Sequence, residues 1–262
     1  MGEPLVRYRA EGGIATFLLS DPPANAYTHE MMRDLDNAIL KARFDAAVHV
    51  IVIRGAGDKF FCAGANIQML SEADPTFKYY FCLHANETLN RLEQTPKLVI
   101  AALNGHAVGG GLEIALAADL RLARKGGGKI GLPEVHLGVL PGTGGTQRLP
   151  RVLGRSRALE LMITGRTFSF EEAAKIGLVH QVLEDSDFDE QVLAYARGFL
   201  PPSRASRAVG HIKRAVVTGG EVPFETALSL ERELQQRLFE SEDAREGLEA
   251  YLAKRTPKFK GR

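Results

Sequence analysis

Cysteine is scarce in this sequence: Cys62 and Cys82 are the only two among 262 residues. A lone bridge in a chain of this size is a weak expectation, so both are read as thiols of a reducing compartment. No run approaches eighteen apolar residues, so no membrane-spanning helix is expected. The opening residues, MGEPLVRYRAEGG, have neither the apolar core of a signal peptide nor an Arg-rich transit pattern, and the expected location is cytoplasmic. An excess of charge is missing too: Lys and Arg number 33 against 32 Asp and Glu. That balance supplies no bulk field to steer nucleic acid or an anionic membrane, so any phosphate recognition has to be local.

Several motifs are also missing. Gly55-Ala56-Gly57 and Gly142-Thr143-Gly144 each begin a dinucleotide fingerprint, but its sixth position is Phe60 in one and Gln147 in the other. The sequence has no phosphate-binding G-x-x-x-x-G-K-[ST] loop, no H-E-x-x-H or C-x-x-C spacing and no G-x-S-x-G elbow. No metal site and no serine nucleophile is therefore expected. Cys62, beside a glycine turn, reads better as a small buried hydrophobe than as a nucleophile.

The chain is long enough to bury roughly 70–75% of its unfolded surface around one core. Ile14 to Leu19 reads as a strand stopped by Ser20-Asp21-Pro22-Pro23, and Thr28 to about Phe44 has helical spacing of Met31, Leu35, Ala38, Ile39 and Ala42. Val48 to Ile53 and Leu98 to Leu103 are almost wholly apolar, as strands covered on both faces are, with a helix over about Thr76 to Gln94 between them. This alternation predicts an α/β fold with a parallel sheet and right-handed crossovers. Ser169 and Glu172 have capping-box spacing and predict a short helix over Ala173 to Ile176, ended by Gly177. Past Pro201-Pro202 the composition shifts to charged helices over about 203–217, 223–240 and 243–255. A boundary near residue 200 is therefore expected between a sheet-based core (1–200) and a helical region (201–262). No repeat of solenoid period is present.

Two glycine turns after buried strands and two glutamates carry the chemistry. The first turn is Phe60-Phe61-Cys62-Ala63-Gly64-Ala65-Asn66-Ile67; the second runs from Asn104 to Glu113 and opens a helix at about Gly111. A helix start leaves N–H groups unpaired at the positive end of the dipole, which places Gly110 well to donate to a developing oxyanion. Glu113 follows within one helical turn, and Glu134 follows the apolar run Ile130 to Leu132 and a proline. A buried, unpaired carboxylate is costly, so Glu113 among Leu112, Ile114, Ala115 and Leu116 points to function rather than to a cap. Glu134 alone is read evenly between surface residue and site. His106 and His136 read as packing or hydrogen-bonded histidines, and Lys125 and Lys129 as a solvated turn.

These residues resemble the crotonase, or enoyl-CoA hydratase/isomerase, family across nearly the whole chain. FCAGANI is similar to its first oxyanion-loop motif, NGHAVGGGLEIALAADLRLA to the second with one acid/base glutamate, and GLPEVHLGVLPGTGGTQRLPR to the segment bearing the other. The ending AYLAKRTPKFKGR also resembles family tails. The resemblance implies a spiral of β-β-α units with a C-terminal helical region that builds a homotrimer or a homohexamer. It implies an acyl-CoA thioester as substrate, bound between the N–H groups of Ala65 and Gly110, with Glu113 and Glu134 flanking a water and no separate cofactor. Further CoA contacts are implied for Ala24, Ala26, Ala63, Asn66, Ile67, Gln68 and Gly109, and for Phe259 and Lys260 reaching a neighbouring subunit's CoA. Retention of both glutamates favours hydration of a 2-enoyl-CoA over isomerisation. Two departures stand out: Asn66 replaces a frequent aspartate, and the stretch between the glutamates is one residue longer around Lys125 to Lys129. An RNA-binding role, seen with a lysine comb on the first helix, is not expected, since acids interleave with Arg33, Lys41 and Arg43 in THEMMRDLDNAILKARFD. The acyl tail is expected to meet the segment around Ile67 to Tyr80 and the C-terminal helices.

Overall fold

The computed structural model describes residues 3–262. The chain begins with β1 (Val6–Glu11), β2 (Ile14–Leu19), α1 (His29–Phe44), β3 (Val50–Gly55), β4 (Phe60–Cys62), α2 (Ile67–Glu72) and α3 (Pro75–Glu93). It continues through β5 (Leu98–Leu103), β6 (His106–Val108), α4 (Gly110–Leu116), β7 (Leu120–Arg124) and β8 (Lys129–Gly131) to a 3-10 turn over Glu134–Leu137. There follow α5 (Gly145–Leu153), α6 (Arg155–Thr164), β9 (Phe168–Ser169), α7 (Phe170–Lys175), β10 (Gln181–Leu183) and α8 (Phe188–Arg197). Three helices close the chain: α9 (Ser206–Gly219), α10 (Phe224–Phe239) and α11 (Glu242–Leu252).

Two sheets share these strands. The larger has the order β1-β2-β3-β5-β7-β10, parallel throughout except for the antiparallel β1–β2 pair. The smaller has the order β4-β6-β8-β9, with only β8–β9 antiparallel. Odd-numbered β3, β5 and β7 enter the first sheet, and each is followed by a three-residue partner in the second before the chain turns helical. This is the β-β-α spiral that the family resemblance implied. The strand–helix–strand reading is corrected in one respect: the β2–β3 crossover is a helix alone, but the crossovers after β3 and β5 each carry an extra short strand, β4 and β6, and these lead into the site loops.

Period-two alternation explains the continuous apolar runs. On β3 and β5, Ile51, Ile53, Val99, Ala101 and Leu103 face the core shared with α1, α3 and the small sheet. Val50, Val52, Leu98, Ile100 and Ala102 face α8, where Phe188, Val192 and Ala196 cover them. The first predicted helix starts where its cap requires, with the Thr28 side chain accepting from Met31 N. The helix after Ser169 begins at Phe170 rather than Ala173. Ser169 is itself the N-cap and accepts from Glu172 N, so Phe170, Glu171 and Glu172 already belong to the helix.

At the sheet's C-terminal edge Asn104 is 1% exposed and ties two strand ends together. Its Oδ1 accepts from Gly55 N at 2.9 Å, and its Nδ2 donates to the carbonyls of Gly55 and Gly57 at 3.1 and 2.7 Å. The turns leaving β3 and β5 are thereby fixed against each other.

Candidate active site

The loop after β4 is laid in place by Tyr27. The Tyr27 N–H donates to Gly64 O at 2.9 Å, and Asn66 N donates to Tyr27 O at 3.0 Å, a single parallel bridge centred on Ala65. In such a bridge the middle residue's own N–H points to the opposite side. Ala65 N accordingly has no protein acceptor among the described residues. The second loop ends in Gly109, with φ of 55°, and Gly110, first residue of α4, whose N–H has no acceptor within its helix. The two loops approach closely: a Cβ added to Gly64 would lie 3.1 Å from Gly110 N. Gly110 has to be glycine for a separate reason, because a Cβ there would sit 2.5 Å from the Tyr27 hydroxyl oxygen.

Glu113 is 2% exposed on α4. Its Oε1 accepts from Thr143 N and Gly145 N, each at 2.7 Å, where the glycine-rich chain after β8 folds over it. Burial pushes its carboxyl above the ordinary range; the two amides, the Thr143 hydroxyl and the charge of Arg148 oppose that rise. Glu134, on the 3-10 turn, is held differently. A Cβ on Gly109 would lie 2.9 Å from its Oε1, while its Oε2 is shielded from solvent with no hydrogen-bond partner among the described residues. Burial raises its carboxyl to about 7, with the charge of Glu113 adding to the rise and Lys78 opposing it. The two carboxyls therefore differ in their support: two amides of another loop grip one, while the other has only its own backbone N–H and the more distant Lys78 to favour its charge.

One cavity is lined by Ala63, Ala65, Ile67, Gly109, Gly110, Glu113 and Glu134, all singled out from the sequence. Gly64 of the first motif and Leu70 and Lys78 of the segment expected to meet the acyl tail line it too, whereas Tyr27, Leu137 at the end of the 3-10 turn, and Val139 and Leu140 beyond it were not foreseen. The anticipated contribution from C-terminal helices is absent within one chain; the rim is supplied instead by the 137–140 segment. Asn66 and Gln68 lie outside this cavity, with the Asn66 side chain capping α2 through Met69 N and Gln68 meeting Glu72. Ala24 and Ala26 are not among its lining residues either, and Ala24 O accepts from Ala63 N at 3.1 Å. In the tail, Phe259 packs near Gly247 and Lys260 pairs with Glu242, away from the cavity of their own chain. Cys62 is fully buried, which pushes its thiol up to about 12 and leaves it inert. His106 accepts from Lys129 N through Nδ1, His136 is exposed, and Lys125 pairs with Glu184 in an exposed turn.

The family model for enoyl-CoA hydratase/isomerase matches residues 9–262. The chain belongs to the enoyl-CoA hydratase/isomerase family. Within that family it is 37% identical to a short-chain-enoyl-CoA hydratase of Clostridium acetobutylicum over 94% of this chain and 93% of that one. It is 36% identical to the mitochondrial methylglutaconyl-CoA hydratase of Mus musculus over 90% of this chain and 76% of that one. A solved enoyl-CoA hydratase from Geobacillus kaustophilus superposes with a TM-score of 0.96 at 47% identity, covering 100% of this chain and 98% of that chain. Family members named for different acyl groups are thus equally similar, and the acyl group has to be read from the cavity. No helix among the described residues is long and apolar enough to cross a membrane.

Proposed function

We propose that the protein reversibly hydrates a 2-enoyl-CoA to a 3-hydroxyacyl-CoA. Two amides, Ala65 N–H and Gly110 N–H, receive the thioester oxygen, whose negative charge grows as the α,β double bond is attacked. Glu113, its Oε1 held by two N–H donors, is ionised and takes the proton of the attacking water. Glu134, with its bare Oε2 and raised proton affinity, is protonated and delivers the hydrogen to the α-carbon. The water oxygen bonds to the β-carbon as its proton passes to Glu113 and the Glu134 proton passes to the α-carbon; a proton then returns from Glu113 to Glu134 to reset the pair. Addition of water changes no net oxidation state, so no redox step is needed.

The observation that carries this reading is the convergence of two unclaimed amides and two unequal carboxyls on one cavity. The rim supports an acyl ligand: Leu137, Val139 and Leu140 are 62%, 55% and 66% exposed, an apolar surface awaiting a cover. The remaining expected CoA contacts, Ala24, Ala26, Asn66 and Gln68 around the first loop and Phe259 and Lys260 from another subunit, are kept as part of the proposal. The C-terminal region from residue 201 is assigned to packing in a homotrimer, or two stacked as a homohexamer. Supporting this, α9 to α11 expose Ile212, Val216, Phe224, Phe239, Tyr251 and Leu252.

The test is loss of the conjugated-thioester absorbance when purified protein meets crotonyl-CoA. Failure to turn over any of a panel of short, branched, cyclic and dicarboxylic 2-enoyl-CoAs would reject hydration. Product analysis with a 3-enoyl-CoA separates the isomerase alternative, which the presence of both glutamates disfavours.

A further inference from the structure

Tyr27 is 2% exposed, and its hydroxyl lies 2.7 Å from Thr143 Oγ1, a contact across 116 residues of chain. Thr143 in turn grips Glu113: its N–H donates to Oε1 at 2.7 Å, beside Gly145 N at the same distance. The Tyr27 ring is clamped, stacked on Phe81 at 5.6 Å and filling the space that a Cβ of Gly110 would need. Its main chain, as described, is the strand that holds the Ala65 loop. One residue thus touches the first loop, the second loop and the carboxyl's partner.

We propose that Tyr27 and Thr143 are positioning residues: the bond between their hydroxyls locks the 143–145 turn so that its two amides hold Glu113 ionised while Glu134 keeps its proton. The inference rests on the reading of Glu113 as the base. A buried carboxylate stays charged only while donors face it, and here two backbone amides of one glycine-rich turn do so. The Tyr27–Thr143 bond ties that turn to the first loop, in a site where a hydrogen bond counts for more than at the surface. Releasing it lets the amides move off Oε1 and drives Glu113 toward the protonated state. Both carboxyls would then carry protons at neutral pH, and no base would remain. The other charged groups facing this carboxyl are Glu134 across the cavity and Arg148 from α5. Neither replaces the amides: Glu134 works against ionisation, and Arg148 is engaged by Glu93 and Asn90.

The test measures Glu113 directly. Carboxyl-carbon NMR titration of glutamate-labelled protein in an E134Q background, with Glu113 assigned by its loss in the E113Q/E134Q double variant, reports its protonation without any substrate. Thr143→Val and Tyr27→Phe each remove the same bond and are expected to move the Glu113 titration to higher pH by similar amounts, and Thr143→Ser is expected to leave it in place. With Glu134 intact, Thr143→Val is expected to lower kcat for hydration about tenfold at neutral pH, the size expected for one buried hydrogen bond. KM stays level, and the acid limb of the kcat profile moves up. An unmoved Glu113 titration in folded Tyr27→Phe and Thr143→Val overturns the proposal. Should Thr143→Val fail to fold, the Tyr27→Phe and Thr143→Ser pair decides it alone. If the unaltered protein hydrates no enoyl-CoA, the hydratase reading fails while the titration still judges the hydroxyl bond.

Discussion

A buried carboxylate and a partly buried one lie at opposite ends of the same short stretch of chain, Glu113 on α4 and Asp119 just before β7, and the protein treats them in opposite ways. Asp119 Oδ2 accepts from Val99 N at 2.7 Å and pairs with Lys213 Nζ at 2.8 Å; that lysine, 7% exposed on α9, also donates to Lys97 O. Burial raises the carboxyl of Asp119, and the charge of Lys213 is the first thing that opposes it. Glu113 has no lysine or arginine in ion-pair contact among the described residues; two peptide N–H groups support it instead. A carboxylate closed off by a cation is an anchor, here fastening α9 to the sheet. One held by amides on a single oxygen keeps the other oxygen for a reactant. Burial alone does not separate the two roles; the identity of the partner does.

The comparison can be broken most forcefully at the reacting end. Glu113→Gln and Glu134→Gln are each expected to lower hydration by about 10²–10⁴-fold, the range lost with a general acid or base, while acyl-CoA binding stays measurable by calorimetry. Full activity in either would remove that residue from its assigned role. At the anchoring end the signs reverse. Lys213→Met leaves a buried charge unpaired and is expected to cost about 3–5 kcal/mol. That appears as a fall in Tm of about 10 °C, with kcat of the folded fraction retained. The double replacement Asp119→Leu with Lys213→Met is expected to recover most of that loss, since an apolar pair of similar size needs no partner charges. A smaller effect sharpens the contrast within the site. Glu134 has a folded-state value of about 7 against an ordinary 4.5, so it favours the fold fully below 4.5 and loses that contribution as pH rises to about 7. Glu134→Gln is therefore expected to raise Tm relative to the parent at pH 8 and not at pH 4. Hydration by the parent is expected to decline above about pH 7, as the proton to be delivered is lost.

Much of this architecture was readable before any coordinates. β2 and β5 were placed residue for residue: β5 is covered on both faces and apolar at every position, and β2 is an apolar run broken only by Thr16, bounded by glycines before it and prolines after it. β4, β6 and β8 were not, since three residues beside glycines carry no periodicity. β1 escaped for another reason: Arg7, Arg9 and Glu11 make an edge strand look like a polar terminus. Glu113 stood out through its apolar neighbours and Glu134 through the family resemblance, but Tyr27 and Thr143 did not. Their meeting is a product of the spiral, and nothing local in PPANAYT or PGTGG signals it.

The two unclaimed amides are peptide groups, and this has an evolutionary corollary. Almost no codon change at positions 65 or 110 can delete a main-chain hydrogen; only proline does so outright. On the proposed reading, what would grip the carbonyl is therefore inherited as the path of the chain. A descendant that exchanged both glutamates for other side chains would, on that reading, still hold a thioester by its oxygen, free to acquire a different reaction on the same handle.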